Sequence, residues 1–160
     1  MKTKTNRDYV SKFIIENREG YYRLAYTYVK NQQDVLDIVQ EAICKALESQ
    51  HKLKNRDGIK SWFYKIVVHT ALDFLRKSNK IVLTEDEILE DIGGSSSDNY
   101  EDTDLMSALD RLSDENKTIV VLRYFEAMKL QDIASIMNMP ESTVKTKLYS
   151  SLKKLRLELE

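Results

Sequence analysis

Between Ser78 and Asp104 the sequence changes character, and that change limits the folds open to the chain. The stretch contains Gly93-Gly94-Ser95-Ser96-Ser97 and only short apolar runs, at Ile81–Leu83 and Ile88–Ile92. Residues 80–104 hold nine acids against the single Lys80. Such a composition reads as a flexible, self-repelling linker. The predicted division is therefore 1–78, a linker at 79–104, and 105–160, with each flanking block burying its own core. One Pro and four Gly in 160 residues leave few helix breaks, so both blocks are predicted to be helical. The expected fold class is all-α: two small helical domains joined by a flexible acidic linker.

A net charge of −1 is low for a nucleic-acid binder, whose affinity comes largely from Lys and Arg on phosphates. The average conceals a split. Residues 1–79 carry 15 Lys+Arg against 9 Asp+Glu, and residues 105–160 carry 9 against 8. Neither block is basic enough to grip DNA strongly alone. The lone Cys44 rules out an internal disulfide and fits a reducing cytoplasm. Cys44, His51 and His69 fall short of the four Cys/His ligands a structural zinc usually takes, so neither a metal nor a cofactor is expected. No apolar run approaches the roughly 18 residues of a membrane span, and the polar start MKTKTNRDY does not read as a signal peptide. A cytoplasmic location is expected. The sequence offers no Ser/His/Asp spacing, phosphate-cradling Gly loop or carboxylate–His helix motif, so it reads as a non-enzyme.

At least three helices are expected in the first block. One covers about Tyr9–Asn31, and a second runs from about Gln33 to Ser49. At 100° per residue, Val35, Val39, Ala42, Ile43 and Ala46 share one face of the second, and Asp37, Gln40, Glu41, Cys44 and Glu48 lie opposite. That polar stripe is either an ordinary solvated face or a surface for a partner. The third, with Ser61 as N-cap, runs through Trp62–Lys77. Phe63, Val67, Val68, Ala71, Phe74 and Leu75 form its core stripe, and Trp62, Lys65, Ile66, His69, Asp73 and Arg76 oppose it. Trp and Ile among cations suit a surface that stacks on bases and neutralises phosphates. Packing of Trp62 and Ile66 against the preceding loop fits the pattern equally well.

The second block is more specific. Ser113 is predicted to cap a helix with Asp114 and Glu115 in its first turn. Leu130–Met137 then reads as a short helix with small Ala134 at its centre, followed by Asn138-Met139-Pro140. Asn tolerates the left-handed conformation of a tight turn, and Pro suits the first position of the next helix. That helix places Val144, Leu148, Leu152 and Leu155 on one face. Ser142, Thr143, Thr146, Ser150 and Lys153 lie opposite, with Lys145, Lys147 and Tyr149 on the flanks. Hydroxyls flanked by Lys just after a tight turn are what a recognition helix brings to the major groove. A packed helical hairpin with a solvated outer face is the plainer alternative.

These segments resemble a known family. Asp34-Val-Leu-Asp-Ile-Val-Gln-Glu41 looks like the acidic motif opening the polymerase-binding helix of sigma region two. Ile59-Lys-Ser-Trp-Phe-Tyr-Lys-Ile66 with Thr70-Ala-Leu-Asp-Phe-Leu-Arg76 resembles the promoter-melting helix of that region. Thr118-Ile-Val-Val-Leu-Arg-Tyr-Phe-Glu126, Ile133-Ala134 and Thr143-Val-Lys-Thr-Lys147 are similar to sigma region four. The chain thus resembles the extracytoplasmic-function sigma factors of the sigma-70 family, with the Gram-positive lysozyme and envelope-stress subgroup as the nearest in kind.

The resemblance implies a promoter-selecting subunit of RNA polymerase. Asp34, Asp37, Gln40, Glu41 and Glu48 would meet the β′ clamp coiled coil of core polymerase, and the second domain the β flap. Leu53, Trp62, Lys65, Ile66, His69 and Arg76 would hold the unwound −10 strand. Ser142, Thr143, Lys145, Thr146, Lys147, Tyr149 and Ser150 would read the −35 element of promoter DNA. A membrane-bound anti-sigma factor would be the inhibitor. A stand-alone helix-turn-helix regulator is the alternative, and it leaves the acidic helix and the Trp62 face unexplained.

Overall fold

The computed structural model describes residues 5–82 and 103–159, and every element among them is helical. In the first domain α1 covers Asn6–Glu16 and α2 covers Arg18–Val29. A capping box opens α1: the Thr5 hydroxyl accepts the Asp8 N–H, and the Asp8 carboxylate accepts the Thr5 N–H. The single helix expected over Tyr9–Asn31 is thus two. The break falls at Asn17, whose side-chain amide and backbone N–H both donate to the Phe13 carbonyl, at 2.9 and 3.0 Å. That local bonding competes with continuation of the helix. Lys30, at φ 61°, ends α2, and Asn31 caps α3, Gln32–Glu48, by accepting the Asp34 N–H.

Two 3-10 turns, Gln50–Lys52 and Arg56–Gly58, lead into α4, Ile59–Val82. The helix begins before the expected Ser61 cap. Asn55 accepts the Asp57 N–H, and the turn it closes runs straight into α4, so Ser61 lies inside the helix. Phe63 is the hub of the core: its ring meets Phe13 at 6.0 Å and Tyr21 at 5.0 Å, both edge-on. Such pairs add about 0.5–1.5 kcal/mol beyond their buried area. The Tyr21 hydroxyl donates to the Ile14 carbonyl at 2.7 Å. Burial, reinforced by neighbouring Tyr22, pushes its pKa up to about 12.

The second domain comprises α5 (Thr103–Asp110), α6 (Asp114–Val120), a π turn (Val121–Phe125), α7 (Leu130–Met137) and α8 (Glu141–Leu159). Ser113 caps α6 as predicted, accepting the Asn116 N–H at 3.1 Å. The Asn138 prediction also holds: the residue sits at φ 56°, ψ 50° and turns the chain between α7 and α8. Pro140 stands one position earlier than expected. Its carbonyl accepts from Thr143 and Val144, which makes it the cap of α8 and not its first residue. Leu109, Ile119, Leu122, Ile133, Ile136 and Val144 fill the core. Of the expected linker, 79–82 continue α4 and 103–104 begin α5, while 83–102 lie outside the described residues. The two domains touch through α2 and α4 on one side and α6, the π turn and α7 on the other.

Candidate nucleic-acid and protein interfaces

The apolar face of α3 buries Val35, Ile38, Val39, Ala42 and Ala46. Asp37, Gln40, Glu41 and Glu48 consequently point outward and are exposed, with Leu36 among them at 42% exposure. Asp34 is half-buried in the first turn, where its carboxylate accepts the Asn31 side-chain amide at 2.8 Å. Glu41 pairs with Lys45 at 3.1 Å, an exposed i,i+4 bridge of small energetic weight. The result is an acidic surface around one exposed leucine.

Beside it, the end of α3 and the polar side of α4 enclose an open cleft of about 670 Å³. Trp62, Ile66 and the His69 ring line one wall with Lys65, all four of them expected site residues. Lys45, Ser49, His51 and Lys52, which sequence reasoning did not assign, line the other together with Glu48 of the acidic stripe. Three of these, Lys45, His51 and Lys52, are Lys or His and stand at or just beyond the end of the acidic stripe, a pattern visible in the sequence had the turn after α3 been placed. Lys45 Nζ reaches across to the Thr70 hydroxyl at 3.3 Å, tying the walls together. Trp62 and Ile66 are half-buried, so they pack on the core and also present surface to the cleft. Arg76 is exposed two turns on and pairs with Asp73. Leu53 is the exception. Its side chain is buried in the core at 6% exposure, because the Asn6 amide holds its carbonyl at 3.1 Å and draws the loop inward.

In the second domain α7 and α8 form the predicted helix-turn-helix. Ser142, Lys145, Thr146, Tyr149 and Ser150 of α8 are exposed, and Thr143 is half-buried. Lys145 Nζ lies 5.9 Å from the centre of the Tyr149 ring. Lys147 is drawn back toward α6 by an ion pair with Glu115 at 3.1 Å. Among the described residues no helix is long and apolar enough to cross a membrane.

The residues that join the domains had no place in the sequence-based site. Glu126, at the end of the apolar run of region-four type, is buried and accepts the Tyr64 hydroxyl at 2.7 Å and the Arg23 guanidinium at 3.0 Å. Burial, and then the hydrogen bond to Glu126, raise the Tyr64 pKa well above its ordinary value. Lys117, also buried, donates to the Thr27 carbonyl at 2.8 Å. Loss of solvent lowers its pKa, with nearby Lys30 adding to the effect. Only the isolated acid closing an apolar run hinted at this contact.

Fold and surfaces together define a two-domain helical protein with an acidic face, a cation-lined cleft and a helix-turn-helix. Comparison with known proteins makes the class definite. Residues 13–81 match the family model for sigma-70 region 2, and residues 102–155 that for sigma-70 region 4. The chain is 49% identical over 158 residues to the RNA polymerase sigma factor SigV of Bacillus subtilis, covering 99% of this chain and 95% of SigV. It is 26% identical to the ECF sigma factor SigX of the same organism, over 89% of this chain and 79% of SigX. The chain belongs to the sigma-70 family of RNA polymerase sigma factors, in its extracytoplasmic-function branch. Its fold is similar to that of the sigma factor RpoE in complex with the anti-sigma factor NepR, from Bartonella quintana. That match has a TM-score of 0.77 and 18% identity, over 93% of this chain and 95% of the other. CnrH in complex with the cytosolic domain of CnrY matches at a TM-score of 0.67 and 15% identity, over 94% and 86%.

Proposed function

We propose that this sigma factor divides its work among the three surfaces described, in a cell-envelope stress response, as its resemblance to the extracytoplasmic-function subgroup implies. The acidic face of α3, through Asp34, Asp37, Gln40, Glu41 and Glu48, docks on the β′ clamp of core polymerase, and the second domain engages the β flap. The cleft beside α4 takes the unwound −10 strand through Trp62, Lys65, Ile66 and His69, with Arg76 on the phosphates beyond. Leu53 acts only by shaping the loop below, since its side chain faces the core. The α8 face, from Ser142 to Ser150, reads the −35 element. The working division is 1–78, 79–104 and 105–160. The protein acts in the cytoplasm, where a membrane-bound anti-sigma factor restrains it, and its role is regulatory, not catalytic.

The observation that carries this reading is the cleft. A half-buried Trp and Ile beside Lys and His, in a hollow large enough for a base, provide a stacking wall and a phosphate counter-charge together. Transcription in vitro from promoter fragments tests it, with core polymerase supplied. Wild type should direct initiation, while Asp37→Lys with Glu41→Lys should fold normally and lose holoenzyme assembly, because charges reversed against a basic partner cost several kcal/mol, on the order of 2–5. Normal assembly by the folded double variant would remove α3 from the interface. Specific nanomolar binding of promoter duplex by the chain alone, at physiological salt, would favour a stand-alone regulator.

A further inference from the structure

The contact between the domains is organised around one carboxylate. Glu126 is 5% exposed, and the groups that satisfy it come from the first domain. Tyr64 donates to Oε1 at 2.7 Å, Arg23 to Oε2 at 3.0 Å, and Lys60 Nζ to the Glu126 backbone carbonyl at 2.6 Å. A buried carboxylate without such donors is strongly disfavoured. The burial of Glu126 therefore depends on the first domain being in place. Its position is set locally by the π turn. The Glu126 N–H bonds the Val121 carbonyl and the Met128 N–H bonds the Leu122 carbonyl, with Ala127 at φ 56° between them. This displaced register turns residue 126 toward the partner domain.

Gly20 of α2 lies against the same carboxylate. A methyl group at that position would overlap both the Tyr64 hydroxyl and Glu126 Oε1. The close approach thus depends on a glycine in the first turn of α2, where the missing side chain leaves room for the carboxylate. Around this centre the Arg23 guanidinium stands 5.6 Å from the Phe125 ring, and the Tyr28 hydroxyl meets Thr118. The His69 ring bonds the Ile136 carbonyl of α7 at 3.1 Å. That last bond takes a residue of the cleft, whereas Asp37, Gln40 and Glu41 of α3 stay exposed.

We propose that Glu126, with Arg23 and Tyr64, forms a latch that keeps the free chain closed, with the helix-turn-helix domain against one edge of the −10 cleft and the polymerase-facing side of α3 open. The functional part rests on the reading above, that α3 meets polymerase and the α4 cleft takes DNA. The latch imposes an order: polymerase engages α3 first, and separation of the domains then completes the DNA surfaces. Each bond of the latch exchanges for one with water on opening, so its net strength is modest and a partner can overcome it.

The test uses the full chain carrying Lys153→Cys, spin-labelled at native exposed Cys44 and at position 153, with the distance read by double electron–electron resonance. Wild type should give one narrow distribution. Gly20→Ala, which favours α2 as a helix but crowds the carboxylate, should give a broader and longer one, as should Arg23→Ala. Glu126→Gln, which keeps size and an acceptor, should fall between. Apparent affinity of Gly20→Ala for core polymerase should rise about three- to tenfold, in proportion to the fraction of open chain it adds. A broad wild-type distribution overturns the latch, as does a narrow one that survives in both Gly20→Ala and Arg23→Ala. Opening without a gain in core affinity overturns its role in polymerase loading. Failure of wild type to bind core at all would instead reject the sigma-surface reading, with the distances still deciding whether the latch exists.

Discussion

In the proposed reading, the first domain offers nucleic acid a hollow and the second offers it a ridge. The same residue types build both: Lys, hydroxyls and one aromatic, Trp62 in the cleft and Tyr149 on α8. Their setting differs. Trp62 and Ile66 are half-buried, anchored on the core, and face a second wall across the cleft. Tyr149 is 58% exposed on a convex helix with no facing wall. A hollow suits a single base taken out of its stack, whereas a projecting helix suits the major groove of an intact duplex. Residue type alone does not separate the two tasks; the backbone behind the residues does.

The strongest way to break that contrast is in the hollow. Trp62→Ala combined with Ile66→Ala should lower open-complex formation by about five- to 150-fold, the equivalent of about 1–3 kcal/mol of lost stacking, while initial promoter association changes little. Permanganate reactivity of thymines near −10 reads the effect, and circular dichroism confirms the fold. Unchanged reactivity would mean that the face is only packing. On the ridge, Lys145→Ala should weaken duplex binding by holoenzyme across all sequences and reduce the salt slope by about 1, as expected for one phosphate contact. A slope equal to wild type would take Lys145 off the backbone. Lys147→Ala should do less, under about threefold, because Glu115 already holds that ammonium group. Equal losses from the two lysines would show that the ion pair opens on DNA.

Alkaline titration sharpens the contrast last. The first domain buries Tyr21, Tyr28 and Tyr64, each with its pKa raised mainly by burial. A pKa raised above the unfolded value of 10.0 stabilises the fold fully below about pH 10, and the gain is lost as pH rises through about 12 for Tyr21. Lys117 has the opposite sign. Its lowered pKa disfavours docking at low pH, and docking gains as pH climbs toward 10.5. Helix loss in the full chain should therefore begin above pH 10, in the first domain, with no destabilisation on approach to it. Amide exchange resolved by domain checks the order, and earlier loss in α7 and α8 would contradict it.

What could be read from the sequence was what a few neighbouring residues decide. Ser113 before two acids, Asn138 in a three-residue turn and the apolar stripe of α8 all rest on contacts within a turn or two of helix. Asn17 was missed because nothing in its immediate pattern shows that its amide would turn back on Phe13. Leu53 was expected at the −10 surface because the family resemblance places it there, yet Asn6, 47 residues away, draws it inward. The latch was hidden for the same reason. Glu126 finds Tyr64 and Arg23 across 62 and 103 residues of chain, and no periodicity reports a pairing of that reach. The cleft stood between these cases. One wall lies on a single helix and was legible, and the other needed the turn after α3.

Ala127 has a consequence for which sequences this scaffold can tolerate. It is a non-glycine residue at φ 56°, a region that disfavours side chains and excludes branched ones most strongly. Among variants that retain function, glycine and asparagine should be accepted at 127, whereas valine and isoleucine should vanish even though neither would touch a partner. The position would then score as constrained in a saturation mutagenesis survey without belonging to any binding surface. Its constraint would come from the backbone, one residue away from a side chain that must face inward.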